Sequence, residues 1–221
     1  MEREPRGEVA GREPQHSVPP HAQAAHPGDA QRLSAPGAGR FAWALTGSGH
    51  LLPEALALAQ RLPQVDLFLS AAAEEILPMY GLRLEVLREH FRIFTDRSAS
   101  AVPVGFLYHE RYHTLVVAPA TSNTVAKCAF GISDTLPTNM FAQAGKLGIA
   151  SLVFACDTEP VVITRAPRDL VTLRPRRIEF ENVERLRAFE HCQVACSVAE
   201  LESALDERLR ALSLAWSTSS S

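Results

Sequence analysis

Leu115-Val116-Val117-Ala118 is an apolar run without polar alternation, and Pro119-Ala120-Thr121-Ser122-Asn123-Thr124-Val125-Ala126-Lys127 follows at once. A continuous apolar run suits a strand covered on both faces, as in a parallel sheet. Proline cannot donate to a strand ladder, so Pro119 is expected to end that strand. A helical pattern starts near Thr124. Ala120, Thr121, Ser122, Asn123 and Thr124 therefore fall where a strand gives way to a helix. Free N–H groups and the helix dipole favour an anion there, and short side chains let a ligand come close.

Two upstream stretches repeat this arrangement. Phe41 to Thr46 reads as a first core strand, Gly47-Ser48-Gly49-His50 as a tight turn, and Leu51 to Leu62 as a helix with Pro53 early, where its missing N–H costs little. Such a turn cradles a phosphate in nucleotide folds. The third glycine of a dinucleotide fingerprint is absent, because Leu52 occupies its place. Val65 to Ser70 reads as a second strand, followed by a helix from Ala71 to Tyr80. Ser70 stands at the strand end, where an ordinary helix cap explains it as well as a ligand contact does. Asp66 and Glu74 lie at ribose-binding distance along the chain, but neither ends the second strand, which favours a mononucleotide over a dinucleotide.

Ser151 to Asp157 is expected to be a fourth buried strand. Strands separated by helical patterns imply βαβ units. The fold class is therefore α/β: a Rossmann-like or flavodoxin-like open parallel sheet with helices on both faces. The domain is expected over residues 40–215, with a disordered tail over 1–39 and a flexible tail over 216–221. Leu82 to Phe91 suits a helix, and residues 95–103, with Ser98 and Ser100, a loop long enough to act as a flap. Gly131 to Met140 reads as a loop carrying Asp134, Thr138 and Asn139. Val161–Thr164 and Leu170–Leu173 suggest a hairpin around Ala166-Pro167-Arg168-Asp169. Arg174, Arg176 and Arg177 form a basic patch, read as a solvated arm or as an anion or subunit contact. Asn182 is expected to cap a helix running to about Glu190, Gln193 to Ser197 to form a last strand, and Ser197 to cap a C-terminal helix. Val198, Leu201, Leu205, Leu209 and Leu212 mark the apolar face of that helix. His109 and His113 flank the central strand and receive no catalytic role.

Composition excludes several classes. A formal net charge of −3 gives no basic footprint for nucleic acid. Lysine occurs only as Lys127 and Lys146. Cys128, Cys156, Cys192 and Cys196 form no C-x-x-C pair and no zinc spacing, so they read as small hydrophobes in a reducing compartment, with no metal site. No apolar run approaches a membrane span. The first residues lack the apolar core of a signal peptide and carry Glu2, Glu4, Glu8 and Glu13, so a cytoplasmic protein is expected. Residues 1–39 contain almost no large apolar side chains and cannot offset the entropy of ordering. His16, His21 and His26 recur there every five residues, which reads as a solvated low-complexity segment rather than a metal site.

Thr46 to Gly49, Ser70 and Ala120 to Thr124 together place short hydroxyl-bearing segments at three strand ends. In open α/β sheets, ligands bind at that edge. Neutral hydroxyls without a lysine-bearing phosphate loop suit a single phosphate. With Gly49, His50 and the Thr121–Thr124 turn lining a flat pocket, flavin mononucleotide (FMN) is the expected cofactor. The candidate cofactor residues are Gly47, Ser48, Gly49, His50, Ser70, Ala120, Thr121, Ser122, Asn123 and Thr124; no catalytic side chain is named.

Ala118 to Lys127, continuing as Gly131-Ile132-Ser133-Asp134-Thr135-Leu136, resembles the signature of the homo-oligomeric flavin-containing cysteine decarboxylase superfamily. Thr46-Gly47-Ser48-Gly49 and the Ser70–Glu75 segment resemble its other two flavin-contacting turns. The resemblance covers roughly residues 40–200. It implies a Rossmann-like domain binding FMN in trimers, with the flavin at a subunit boundary, and in some members trimers built into larger shells. Decarboxylating members carry a catalytic histidine before the central strand and a Pro-x-Met-Asn motif after the next. Here those places hold the Ser98–Val104 loop, without the histidine, and Ala155-Cys156-Asp157-Thr158-Glu159-Pro160. Arg174-Pro175-Arg176-Arg177-Ile178-Glu179 and Asn182-Val183-Glu184 resemble instead the redox branch, which includes archaeal flavoproteins and bacterial dihydromethanopterin reductases. The implied activity is transfer of reducing equivalents from a soluble donor, a flavin or a redox protein, to dihydromethanopterin. The alternatives are an FMN electron carrier docking to ferredoxin-like partners, a flavin-dependent decarboxylase or prenyltransferase, and a non-catalytic assembly protein.

Overall fold

A computed structural model describes residues 39–97, 102–109, 111–166 and 169–217. The expected N-terminal tail up to residue 38, Ser98 and Ser100 of the flap, and the Pro167-Arg168 hairpin tip lie outside the described residues.

Each apolar run forms a strand. β1 (Arg40–Leu45), β2 (Val65–Leu69), β4 (Tyr112–Ala120) and β5 (Ala150–Ala155) are buried along most of their length. With β3 (Arg92–Thr95) and β8 (Cys192–Ala195) they build one sheet in the order β3-β2-β1-β4-β5-β8, every pair parallel. The expected α/β class, an open parallel sheet, is the observed architecture. β6 (Val162–Arg165) and β7 (Leu170–Leu173) form the expected antiparallel hairpin outside that sheet.

Alternate residues of the strands feed two cores. Phe41, Trp43, Leu45, Leu67, Val116 and Phe154 face α1 (Leu52–Arg61), α2 (Ala71–Ile76), α3 (Leu84–His90) and α7 (Val198–Ala211). Ala42, Ala44, Phe68, Leu115, Val117 and Val153 face α4 (Ser122–Ala129), α5 (Leu136–Lys146) and α6 (Arg177–Arg187). Helices thus cover both faces, as parallel sheets require. A fully buried side chain such as Phe154 contributes about 1.5–3 kcal/mol over its exposed state.

Several local expectations are corrected. Pro119 does not end the strand: β4 continues through it to Ala120, and its register with β5 shifts between Val117 and Ala120, where a missing N–H is tolerated. The following helix starts at Ser122, two residues before the expected Thr124, with Thr121 as its cap. The helix expected over residues 71–80 ends at Ile76 and continues as one tight 3₁₀ turn, Leu77–Tyr80. The loop expected over residues 131–140 ends early, because Thr135 and Thr138 form a reciprocal capping box and start α5. Asn182 lies inside α6, which begins at Arg177; there the Glu179 carboxylate takes the Arg176 N–H at 2.5 Å. β3 and the 3₁₀ segment Val102–His109 were not expected. Ser197 caps α7 as expected, accepting the Glu200 N–H at 3.1 Å. Trp216, assigned to the C-terminal tail, lies under the Arg61 guanidinium at 4.4 Å and donates to Asp206.

Candidate functional site

From β1 the chain steps outward to β2 and β3; from β4 it steps the other way to β5 and β8. The crevice outside the carboxyl ends of β1 and β4 is therefore the topological switch point, where open α/β sheets bind ligands.

Thr46, 1% exposed, joins the two halves. Its hydroxyl donates to the Pro119 carbonyl at 2.6 Å and accepts the Thr121 N–H at 3.1 Å. Thr121 in turn accepts the Thr124 N–H at 3.1 Å, and the two hydroxyls sit 3.0 Å apart. The first N–H groups of α4, at Ser122 and Asn123, precede any intrahelical bond and are open to an acceptor. Asn123 is exposed on this first turn. Ala120 is buried, and its carbonyl takes the Cys156 N–H at 3.1 Å.

The β1 turn lies alongside. Ser48 donates to the His50 carbonyl at 3.2 Å, and its hydroxyl is 3.3 Å from the Cys156 sulfur. A Cβ on Gly47 would lie 2.7 Å from the Ala72 Cβ, and one on Gly49 would lie 1.9 Å from the Tyr80 ring. These glycines answer a packing demand of the protein itself, beside any closeness to a ligand. Tyr80 then donates to the Arg165 carbonyl at 3.1 Å, which ties the hairpin to this end of the sheet. Ser70 accepts the Ala73 N–H at 3.0 Å, so it is a helix cap, and its own N–H reaches the Leu45 carbonyl at 3.0 Å. All ten predicted residues thus fall on the carboxyl-end segments of β1, β2 and β4.

Three residues at this edge received no site role from the sequence. Cys156 and Asp157 follow β5. Burial pushes the Cys156 thiol up to about 12, so it remains protonated. Asp157, half-buried, accepts a hydrogen bond from the Ser122 hydroxyl. Asp96, just past β3, accepts the Leu136 N–H at 2.8 Å and anchors the start of α5. An acid or thiol directly after a buried strand is the signal that finds the first two; Asp96 was hidden with its unrecognised strand. Elsewhere, Arg176 pairs with Glu179 at 2.5 Å and Arg177 with Glu181 at 2.6 Å, and Arg174 is exposed, so this patch is largely a solvated arm. His109 is exposed and His113 half-buried, both outside the crevice. An apolar groove of about 290 Å³ between the end of α4, α5 and the starts of β5 and β8 is separate from the strand ends.

Among the described residues the crevice gathers hydroxyls and N–H groups, with the Cys156 thiol and the Asp157 carboxylate beside them, in a doubly wound fold. The chain belongs to the Flavoprotein family, whose model matches residues 34–213. It is 66% identical to DmrB of Burkholderia xenovorans, whose structure in complex with FMN is described as a cubic protein cage for redox transfer; the match covers 80% of this chain and 98% of that one, with a TM-score of 0.76. An uncharacterised protein of Methanocaldococcus jannaschii is 36% identical over 75% of this chain and 94% of its own length. A dihydromethanopterin reductase (acceptor) of Methanosarcina mazei is 37% identical, over 59% of this chain and 60% of that protein. The chain thus spans less than two thirds of that curated reductase. No helix among the described residues is long and apolar enough to cross a membrane.

Proposed function

We propose that this protein is an FMN-dependent reductase that passes reducing equivalents from a soluble donor to dihydromethanopterin, giving tetrahydromethanopterin, and that it works as a homo-oligomer built from trimers. The observation carrying this reading is the crevice itself: three hydroxyl-bearing segments at the switch point of a parallel sheet, two of them tied through Thr46 and the third reaching the Leu45 carbonyl through the Ser70 N–H. The FMN complex of the similar DmrB supports the cofactor, and the name of the similar reductase supplies the substrate class.

The residues fit the cofactor. One phosphate suits the Ser48 turn and the start of α2 at Ser70, where neutral hydroxyls and N–H groups would hold it without lysine. The Ser122 and Asn123 N–H groups, beside Asp157, would suit a neutral acceptor of the cofactor rather than its phosphate. When bound, FMN supplies the redox chemistry. The chain's own residues bind and orient: Thr46 fixes the distance between the two walls, Tyr80 and Gly49 set the turn, and the protonated Cys156 thiol packs against Ser48. The same geometry serves a carrier that hands electrons to a redox protein.

Titration of the full chain with FMN, followed by flavin fluorescence, is expected to saturate at one FMN per chain. The loaded protein with a chemical reductant is then expected to consume dihydromethanopterin. Absence of bound flavin overturns the reading; bound flavin with no pterin turnover reduces it to a carrier.

A further inference from the structure

Asp157 is the first residue past Cys156 at the end of β5, and its Oδ2 accepts the hydroxyl proton of Ser122, the first residue of α4. It is half-buried. Among the described residues it forms no ion pair: Lys127 of α4 is held by Asp134 at 2.8 Å, and Arg176 and Arg177 pair with Glu179 and Glu181. An ionised carboxylate only accepts, at about four lone-pair sites. Ser122 fills one of them. Cys156 beside it stays a thiol, held against the Ser48 hydroxyl. Of the two acids at this sheet edge, Asp96 is taken up by the Leu136 N–H, whereas Asp157 keeps acceptor sites beyond the one that Ser122 fills.

Such a group repels phosphate and calls for a donor. Carboxylates bind most strongly to paired, parallel N–H groups, as in their forked contact with guanidinium. The aminopyrimidinone edge of a pterin presents that pair, a ring N–H beside an exocyclic amino group. We propose that Asp157 is the specificity residue that accepts this donor pair of the substrate, and that Ser122 is a positioning residue fixing the carboxylate's orientation. This rests on the pterin-reductase reading above. It predicts discrimination as well as affinity, because a site built to accept two donors rejects an analogue that lacks one.

The test measures equilibrium binding to the FMN-loaded full chain by calorimetry, with dihydropterin and with dihydrolumazine, in which an oxo group replaces the amino group. Wild type is expected to prefer dihydropterin by at least about tenfold, one hydrogen-bond's worth of discrimination. Asp157→Asn is expected to bind dihydropterin at least about tenfold more weakly, to lose the preference, and to keep its FMN affinity. Ser122→Ala is expected to show a smaller loss in the same direction. Unchanged dihydropterin binding in Asp157→Asn removes the role of Asp157 while leaving the reductase reading intact. A parallel loss of FMN affinity overturns the proposal by making Asp157 a cofactor contact. If wild type holds FMN and binds no dihydropterin, the reductase reading fails, and this inference fails with it.

Discussion

Thr121 donates its backbone N–H to the Thr46 hydroxyl at 3.1 Å, and that hydroxyl donates to the Pro119 carbonyl at 2.6 Å. One buried side chain thus holds the end of β1 against both the end of β4 and the start of α4. Thr46→Val keeps the shape and strands two buried polar groups, which costs about 1–3 kcal/mol. Urea unfolding of the apo protein is expected to show that loss, FMN affinity to fall with it, and Thr46→Ser to restore most of both.

Gly47 is constrained from across the turn by Ala72. Gly47→Ala forces two methyl carbons to 2.7 Å, so β1 and α2 must separate, at the roughly 1–3 kcal/mol typical of overpacking. The Gly47→Ala, Ala72→Gly double variant is expected to recover part of that cost. Strict additivity in a double-mutant cycle of unfolding free energies would contradict the contact.

At the opposite, amino-terminal edge, the fully buried Asp66 accepts Tyr112 Oη–H at 2.6 Å and Arg40 at 2.6 and 3.0 Å. Burial, then Asp66, holds the Tyr112 phenol well above its ordinary range, so it remains a donor. Tyr112→Phe is expected to cost about 1–3 kcal/mol, and Asp66→Ala about 3 kcal/mol or more, by leaving Arg40 and Tyr112 without their acceptor. FMN affinity is expected to hold in both, which separates this stabilising cluster from the crevice.

His113 sets an acid limit. Burial, then the nearby Arg208, lowers its pKa from 6.5 to about 4. Its Nε2 is buried without a partner, Phe41 meets its ring edge-on at 4.6 Å, and Nδ1 lies 2.8 Å from the Thr114 hydroxyl. The folded state therefore binds the imidazole proton more weakly than the unfolded state. Its contribution is complete above about pH 6.5 and is lost as pH falls toward 4. His113→Phe is expected to flatten the decline of unfolding free energy across that window, measured by urea titration at stepped pH.

The sheet was legible because doubly covered strands need apolar runs: Phe41–Leu45 and Leu115–Ala118 are unbroken, and Val65–Leu69 is interrupted only by Asp66. β3 was not: Arg92-Ile93-Phe94-Thr95 is a short edge strand, only partly buried, following a helical pattern. Asn182 misled because capping residues are judged by type, whereas the Arg176–Glu179 pair starts α6 by closing on itself. Thr46, Ser70 and Thr121 were legible as strand-end hydroxyls. The Ser122–Asp157 contact joins residues 35 apart through two different strand ends, and only the folded sheet brings them together.

The most direct test is anaerobic stopped-flow mixing of the photoreduced, FMN-loaded protein with dihydromethanopterin. The account predicts rapid flavin reoxidation, saturating in pterin and far faster than with buffer. Reoxidation no faster than in buffer, alongside rapid electron transfer to a ferredoxin-like protein, would contradict it.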